Sequence, residues 1–224
     1  MQNILVLKHY KLKNSSGWSV PFYPDNEQYK QFINSYEEMK SMCISFAKKF
    51  LLGLDDIVIH DTEADDIQAA FKQHFYDLHD LWKSGNVNIL YADLDVLFIR
   101  EFNWFTVSDY FTMYDPENSG LRYHGHNMDK TLWDLAFEMC KSWNFNRWAY
   151  EQDIYETMVR HPANWHYQAS RAAEYGWLVV NKPTIKSPAE FFSQNQLCCA
   201  VHFHGSQGQS QVNSMKEMFN FLKL

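Results

Sequence analysis

Short apolar runs alternate along the chain with longer stretches in which apolar residues recur every three or four positions. The short runs predict strands at 3–7, 57–59, 87–99, 111–114, 177–180 and 199–203. The longer stretches predict helices at 29–50, 67–82, 132–143, 150–159 and 212–222. Because strands and helices alternate through the first half of the chain, we predict an α/β domain with a mostly parallel central sheet flanked by helices.

The composition narrows the classes of function. Of 224 residues, 46% are hydrophobic and 17% aromatic, which supports a sizeable core and excludes a disordered chain. Residues 1–224 contain no linker or repeat, so we expect a single domain. The 20 basic and 27 acidic side chains give a net charge of −7 and are scattered, which argues against binding of nucleic acid.

Several features bear on where the protein works. We find no apolar run long enough to span a membrane, and the N-terminal segment lacks the features of a signal peptide. Cysteines occur at 43, 140, 198 and 199, which is too few for a disulfide framework in a chain of this size. We therefore expect a cytoplasmic protein; the oligomeric state is left open.

Two aspartates interrupt the most apolar segment of the chain, at 87–99. In an extended chain, the carboxylates of Asp93 and Asp95 would point to the same side. Burying both without compensation costs several kcal/mol, and a hard divalent cation such as Mn²⁺ or Mg²⁺ compensates them with oxygen ligands. The alternative is a strand end with two ordinary surface aspartates. The apolar flanks on both sides favour a site.

A second polar group lies near the C-terminus, in the segment Val-His-Phe-His-Gly at 201–205. In a strand, His202 and His204 would share one face. Neutral imidazole is a good ligand for Mn²⁺-like ions, and Gly205 would let the backbone approach a phosphate closely. Two structural, hydrogen-bonded histidines are the alternative.

Two further polar segments lie between these groups. Glu151, Gln152 and Asp153 open a predicted helix, where acidic residues either cap the helix or face a substrate. The segment Asn-Ser-Gly-Leu-Arg-Tyr at 118–123 has the composition of a turn.

The four segments, taken in order, resemble the retaining glycosyltransferases of the GT-A fold, and most closely the glycogenin and lipopolysaccharide galactosyltransferase group. The shared order is D-x-D, N-S-G, E-Q-D and H-F-x-G. Here Asn118, Gln152 and His202 follow Asp93 by 25, 59 and 109 residues. The resemblance covers 89–205, about half of the chain, through short motifs.

The resemblance implies roles for individual residues. It implies that a Mn²⁺ (or Mg²⁺) ion is bound by Asp93, Asp95 and His202, with Asp93 also near the donor ribose. It places Glu151 and Gln152 as catalytic residues beside the anomeric carbon. The other residues expected to bind the nucleotide-sugar donor are Asn118, Gly120, Arg122, Asp153, His204, Gly205 and, by stacking on the base, Tyr10.

The chain departs from the pattern at one point that bears on the donor. The lysine-proline-tryptophan that usually follows H-F-x-G is replaced by Gly208-Gln209-Ser210, so the lysine that grips the diphosphate is missing. Four basic residues are candidates for its replacement: Arg122, Lys130, Arg171 and Lys182. Glu151 also stands where an aspartate is usual.

The resemblance implies a metal-dependent enzyme that moves a hexose from a nucleotide-diphosphate sugar, expected to be UDP-linked, to a hydroxyl of a glycan, lipid-linked or protein acceptor with retention. One alternative is a haloacid-dehalogenase-like phosphatase with Asp93 as nucleophile and Asp95 as general acid. However, that family has its D-x-D near the N-terminus. The other alternative is a non-catalytic carbohydrate-binding domain, which the 8 tryptophans and 13 tyrosines would suit.

Overall fold

The structure is a computed structural model of the 224-residue chain. It describes residues 1–12, 26–65, 67–106, 110–112, 120–142, 154, 178–181, 185–203 and 209–223. The strands are β1 Gln2–Leu12, β2 Asp56–Ala64, β3 Val87–Ala92, β4 Val96–Phe98, β5 Tyr110–Thr112, β6 Leu121–His124, β7 Val179–Asn181 and β8 Ala200–His202. The helices are α1 Asn26–Phe50, α2 Ile67–Lys83, α3 Lys130–Ser142, α4 Pro188–Gln194 and α5 Gln209–Lys223, with a 3₁₀ turn at Trp104–Thr106.

The strands form a five-stranded sheet and a three-stranded sheet. The order in the larger sheet is β2-β1-β3-β6-β5, where β1 is parallel to β2 and β3, and β6 is antiparallel to β3 and β5. Four of its five strands therefore run in one direction, which confirms the predicted, mostly parallel central sheet. In the smaller sheet, β8 lies between β4, its antiparallel partner, and β7, its parallel partner.

Helices cover both faces of the larger sheet because its central strands are apolar on both sides. On one face, Leu5 and Leu7 of β1 pack in a core with residues of α1 and α5, including the stacked rings of Phe46 and Phe219. On the other face, Ile4 and Val6 pack with residues of α2 and α3. The predicted arrangement of helices flanking a sheet is thus confirmed.

The order of strands in the larger sheet reverses beside β1, at the carboxyl ends of β1 and β3. Pairing of β1 with β3 ends at Leu7 and Ala92, whereas β1 continues to Leu12 beside β2. The chain connects β1 to β2 through α1 and then crosses back to β3, so the order of strands reverses between β1 and β3. Ligands of open α/β sheets bind outside the carboxyl ends of the strands at such a reversal.

The structure departs from the predicted elements at three places. The run 87–99 is two strands in different sheets, β3 and β4, rather than one strand. The segment 118–123, which the composition assigned to a turn, includes the start of β6 at Leu121, and α4 was not predicted. The predicted helix 150–159 lies outside the described residues, except for Ile154.

The structure describes all four cysteines. All four cysteines are free and buried, and burial raises the pKa of the Cys198 thiol to about 12. Among the described residues, we find no helix with both the length and the apolar character needed to cross a membrane.

Candidate metal and donor site

Asp93 and Asp95 lie in a tight turn at the carboxyl end of β3. The backbone N–H of Val96 donates to the carbonyl of Asp93 at 3.1 Å, which closes the turn. The backbone N–H of Asp93 donates to the carbonyl of Gly120 at 2.7 Å, just before β6. The prediction of an extended chain between the two aspartates was therefore wrong, because β4 leaves the larger sheet to pair with β8. The turn nevertheless keeps both carboxylates together.

His202 reaches the two aspartates through strand pairing. In the register of β4 and β8, Val96 lies opposite His202, and the N–H of Phe203 donates to the carbonyl of Asp95 at 3.0 Å. As a result, Nε2 of His202 lies 3.2 Å from Oδ1 of Asp95 and 4.0 Å from Oδ2 of Asp93. One ligand atom from each of the three residues lies within 4.8 Å of the others, close enough to share one cation.

The two carboxylates control the charge of His202, whose side chain is buried. Burial alone would lower the pKa of this imidazole, but the nearby charge of Asp95, its hydrogen bond, and the charge of Asp93 outweigh burial and raise the pKa. A proton and a divalent cation bound here would therefore compete for the same Nε2 atom. Metal binding here is expected to weaken as the pH falls.

Asp93 is held by groups on the far side from His202. The hydroxyl of Tyr91 donates a short hydrogen bond to Oδ1 of Asp93, and Nζ of Lys8 lies 3.8 Å from the same oxygen. The guanidinium of Arg122, fully buried in β6, lies 3.6 Å from the centre of the Tyr91 ring. Oδ1 of Asp93 is thus fixed by protein groups, and Oδ2 faces His202.

As in Asp93, one carboxylate oxygen of Asp95 is held by another protein group and the other oxygen faces His202. Nε2 of Gln211 donates to Oδ2 of Asp95 at 2.6 Å, and Oδ1 faces His202. Such outer partners orient the ligands of metal sites in proteins.

Gly120 lies against the site, where it leaves room that a side chain would fill. A Cβ atom at this position would lie 2.8 Å from Cε1 of His202 and 2.9 Å from Oδ2 of Asp93. Two carboxylates and one imidazole are a donor set that suits Mn²⁺ or Mg²⁺. The donors and the space beside them therefore fit a divalent cation.

Two buried histidines lie near the site, and one of them contacts the ring of Tyr91. His74 and His124 are fully buried, and burial, followed by nearby positive charges, lowers the pKa of both imidazoles well below the usual value. The ring of His74 lies 5.0 Å from the ring of Tyr91. These histidines are thus neutral near pH 7, whereas Lys8 and Arg122 carry positive charge.

The structure brings together some of the residues expected from the sequence. Asp93, Asp95, His202 and Gly120 meet in one place, and Arg122 lies behind Tyr91. Lys130 instead pairs with Asp134 on the exposed surface of α3, at 2.5 Å. The expected residues that lie outside the described residues are Asn118, Glu151, Gln152, Asp153, Arg171, Lys182, His204 and Gly205, together with the side chain of Tyr10.

Sequence reasoning missed two residues at the site, Lys8 and Gln211. Lys8 lies just past the last pairing of β1 with β3, and the longer extent of β1 was not predicted. Gln211 had a signal in the sequence, since it shares a helical face with Met215 and Met218 by spacings of four and three. A buried amide among apolar positions indicates a specific partner.

The fold, a mostly parallel sheet between helices, is similar to that of a solved glycosyltransferase. A crystal structure of a glycosyltransferase involved in the glycosylation of the major capsid of PBCV-1 matches with a TM-score of 0.50 at 11% identity, covering 100% of both chains. The galactosyltransferase LgtC, in complex with donor and acceptor sugar analogs, matches with a TM-score of 0.35 at 8% identity, covering 99% of this chain and 96% of LgtC. Neither family models nor curated proteins match the sequence.

Proposed function

We propose that this chain is a metal-dependent glycosyltransferase that moves a hexose from a nucleotide-diphosphate sugar, expected to be UDP-linked, to a hydroxyl acceptor with retention. The observation that carries the proposal is the group of Asp93, Asp95 and His202 at the carboxyl end of β3. Its place at the strand reversal of a glycosyltransferase fold makes a donor site the simplest function for it.

The chemistry of sugar transfer explains why such a site needs these groups. As the bond between the sugar and the diphosphate breaks, negative charge develops on the diphosphate and positive charge on the ring. A divalent ion held by the three side chains would stabilise the leaving diphosphate as a Lewis acid. In this proposal, Glu151 and Gln152 orient the reacting ring, and Asp153 contacts its hydroxyls.

The charges of the described site residues favour an anionic ligand. Asp93 and Asp95 contribute two negative charges and Lys8 one positive charge at 3.8 Å from Asp93. Adding a divalent cation makes this group of charges positive overall, which suits a diphosphate. We therefore propose that Lys8 supplies the positive charge that the missing lysine after H-F-x-G would have provided.

Lys8→Met tests this role. The methionine keeps an apolar chain against the ring of Phe71, whose centre lies 4.3 Å from Nζ of Lys8. We expect the affinity for a nucleoside diphosphate in the presence of Mn²⁺ to fall roughly 10- to 100-fold, because a hydrogen bond to a charged group contributes about 1.5–3 kcal/mol. Affinity for Mn²⁺ alone should hold or rise, because Lys8 repels a cation. Titration calorimetry measures both affinities.

Lys130→Met is the matched control, because Lys130 was a candidate for the same role and is exposed on α3. It should leave both affinities unchanged. If Lys130→Met weakens nucleotide binding and Lys8→Met does not, the assignment of Lys8 is wrong.

A melting experiment tests the proposed function itself. The protein is heated with each of several nucleotide sugars, with and without Mn²⁺. A donor at a hundredfold excess over its Kd adds about 2.7 kcal/mol of stability, which raises the Tm of a chain this size by roughly 5–10 °C. We expect this gain only with Mn²⁺ present, and the donor that produces it identifies the nucleotide and sugar.

The two alternative functions give different results in the same experiment. A carbohydrate-binding domain would be stabilised by glycans and would ignore Mn²⁺ and nucleotides. A phosphatase of the haloacid-dehalogenase type would release phosphate from an aryl phosphate, which a glycosyltransferase does not. Either result, without a gain from any nucleotide sugar, would overturn the proposal.

A further inference from the structure

Gln211 is a buried amide in the first part of the C-terminal helix, on the face that packs into the core. Its side chain is 8% exposed, and its neighbours on the same helical face, Met215 and Met218, are fully buried. A polar side chain at such a position costs free energy unless its hydrogen bonds are satisfied. The hydrogen-bond partners of the Gln211 amide therefore indicate why a polar residue occupies this buried position.

Both partners of the amide belong to the candidate metal site. Nε2 of Gln211 donates to Oδ2 of Asp95 at 2.6 Å and to the carbonyl of Phe203 at 2.8 Å. Both partners are acceptors, so the two N–H groups of one nitrogen satisfy them and the orientation of the amide is determined. One bond thus reaches the side chain of Asp95, and the other reaches the backbone of the residue that directly follows His202.

These bonds complete a link between three segments. The N–H of Phe203 donates to the carbonyl of Asp95 at 3.0 Å, which joins the end of β8 to the turn after β3. Gln211 adds α5 to this junction by bonding the side chain of Asp95 and the carbonyl of Phe203. The carboxylate of Asp95 is then held with Oδ1 toward Nε2 of His202, at 3.2 Å.

We propose that Gln211 is a positioning residue for the divalent cation: it fixes Oδ2 of Asp95 so that Oδ1 is presented to the site together with Nε2 of His202. This inference rests on the proposed function, because it concerns the same cation. Gln211 itself touches neither cation nor donor in this account. It acts by restricting rotation of the Asp95 side chain. The conformational entropy of this side chain is then lost when the chain folds and no longer opposes binding of the cation.

Gln211→Met tests the proposal, because methionine has a similar length and suits the apolar face but donates no hydrogen bond. Mn²⁺ is titrated into the metal-free protein, and free Mn²⁺ is followed by electron paramagnetic resonance. We expect the Kd for Mn²⁺ to rise about 10- to 100-fold, the usual effect of removing an outer partner of a ligand. The signal of the bound ion should also broaden, because Asp95 then samples several orientations.

Glu217→Gln is the matched control, since Glu217 is exposed on the same helix. It should bind Mn²⁺ as the wild type does. The Tm of the metal-free protein is measured for both variants. A residue that only stabilises α5 would lower this Tm and leave the Kd and the bound-ion signal unchanged, and that result would overturn the proposal.

The wild-type titration separates the two proposals. If the wild type binds Mn²⁺ and Gln211→Met binds it equally well, the positioning role is wrong and the proposed function stands. If the wild type binds no Mn²⁺, both fail. Should Gln211→Met not fold, Gln211→Asn carries the same test, because it keeps the polar group and only shortens its reach by one methylene.

Discussion

Asp95→Ala is expected to reduce transfer from a nucleotide sugar by at least about a thousandfold in Mn²⁺ while the protein remains folded. The expected loss corresponds to the several kcal/mol of stabilisation that a bound cation gives a leaving diphosphate. Oδ1 of Asp95 lies 3.2 Å from Nε2 of His202, so the substitution would leave two of the three proposed ligands. Release of the nucleoside diphosphate measures the rate, and circular dichroism measures the fold.

Glu101→Ala is the control for this variant, because it removes an exposed carboxylate from the loop that follows β4. It should leave transfer unchanged. Unchanged turnover in folded Asp95→Ala protein would instead end the proposal of a metal site, whatever the behaviour of the control. Addition of a chelator to the wild type should reproduce the loss, and Mn²⁺ added in excess should reverse it.

Gly120→Ala is expected to be the second most damaging substitution, through a single added methyl group. The new Cβ would lie 2.8 Å from Cε1 of His202 and 2.9 Å from Oδ2 of Asp93, so at least one of these side chains must move. His202 is buried in β8 and cannot move freely. Displacing a reactive group by about 1 Å costs roughly 100-fold in rate, and we expect a loss of that order together with weaker Mn²⁺ binding.

Gly85→Ala separates this effect from a general loss of stability. Gly85 has a φ of 90°, a backbone conformation that strains an alanine, and it lies at the opposite end of β3 from the site. It should lower the Tm and leave the Kd for Mn²⁺ unchanged. If Gly120→Ala shows the same pattern as Gly85→Ala, the space beside Gly120 has no role in the site.

Local pattern predicted most of the fold. The short apolar runs of β1 and β3 and the helical spacing of apolar residues in α1 and α2 are local patterns, so they are readable without a structure. Two predictions failed because they depended on pairing between strands that are distant in sequence. Residues 87–99 are apolar on both sides of the two aspartates, so the pattern could not show that β4 turns away to pair with β8. Leu121 begins a strand because β3 offers it an antiparallel edge, although its segment has the composition of a turn.

The candidate site was predicted in part. Asp93 and Asp95 stood out because two acids interrupt an apolar run. His202 stood out together with His204 as a possible ligand, and the resemblance to a family connected it to the aspartates. We predicted that an extended chain would place the two carboxylates on the same side. The carboxylates do lie close together, but a turn and not an extended chain brings them there. The sequence could indicate that Gln211 has a specific partner but not that the partner is Asp95, because the two residues are 116 positions apart and meet through the packing of α5.

The amino-acid sequence alone determined the alternation of strands and helices and singled out the paired acids, and it left more than one class of chemistry open for them. Only the tertiary structure decided which atoms share a site. Strand order and register brought His202 and Lys8 to Asp93, and helix packing brought Gln211 to Asp95. The physical reason is that hydrophobic periodicity selects which face of an element is buried, whereas the distance between remote polar atoms depends on which strands pair and in what register.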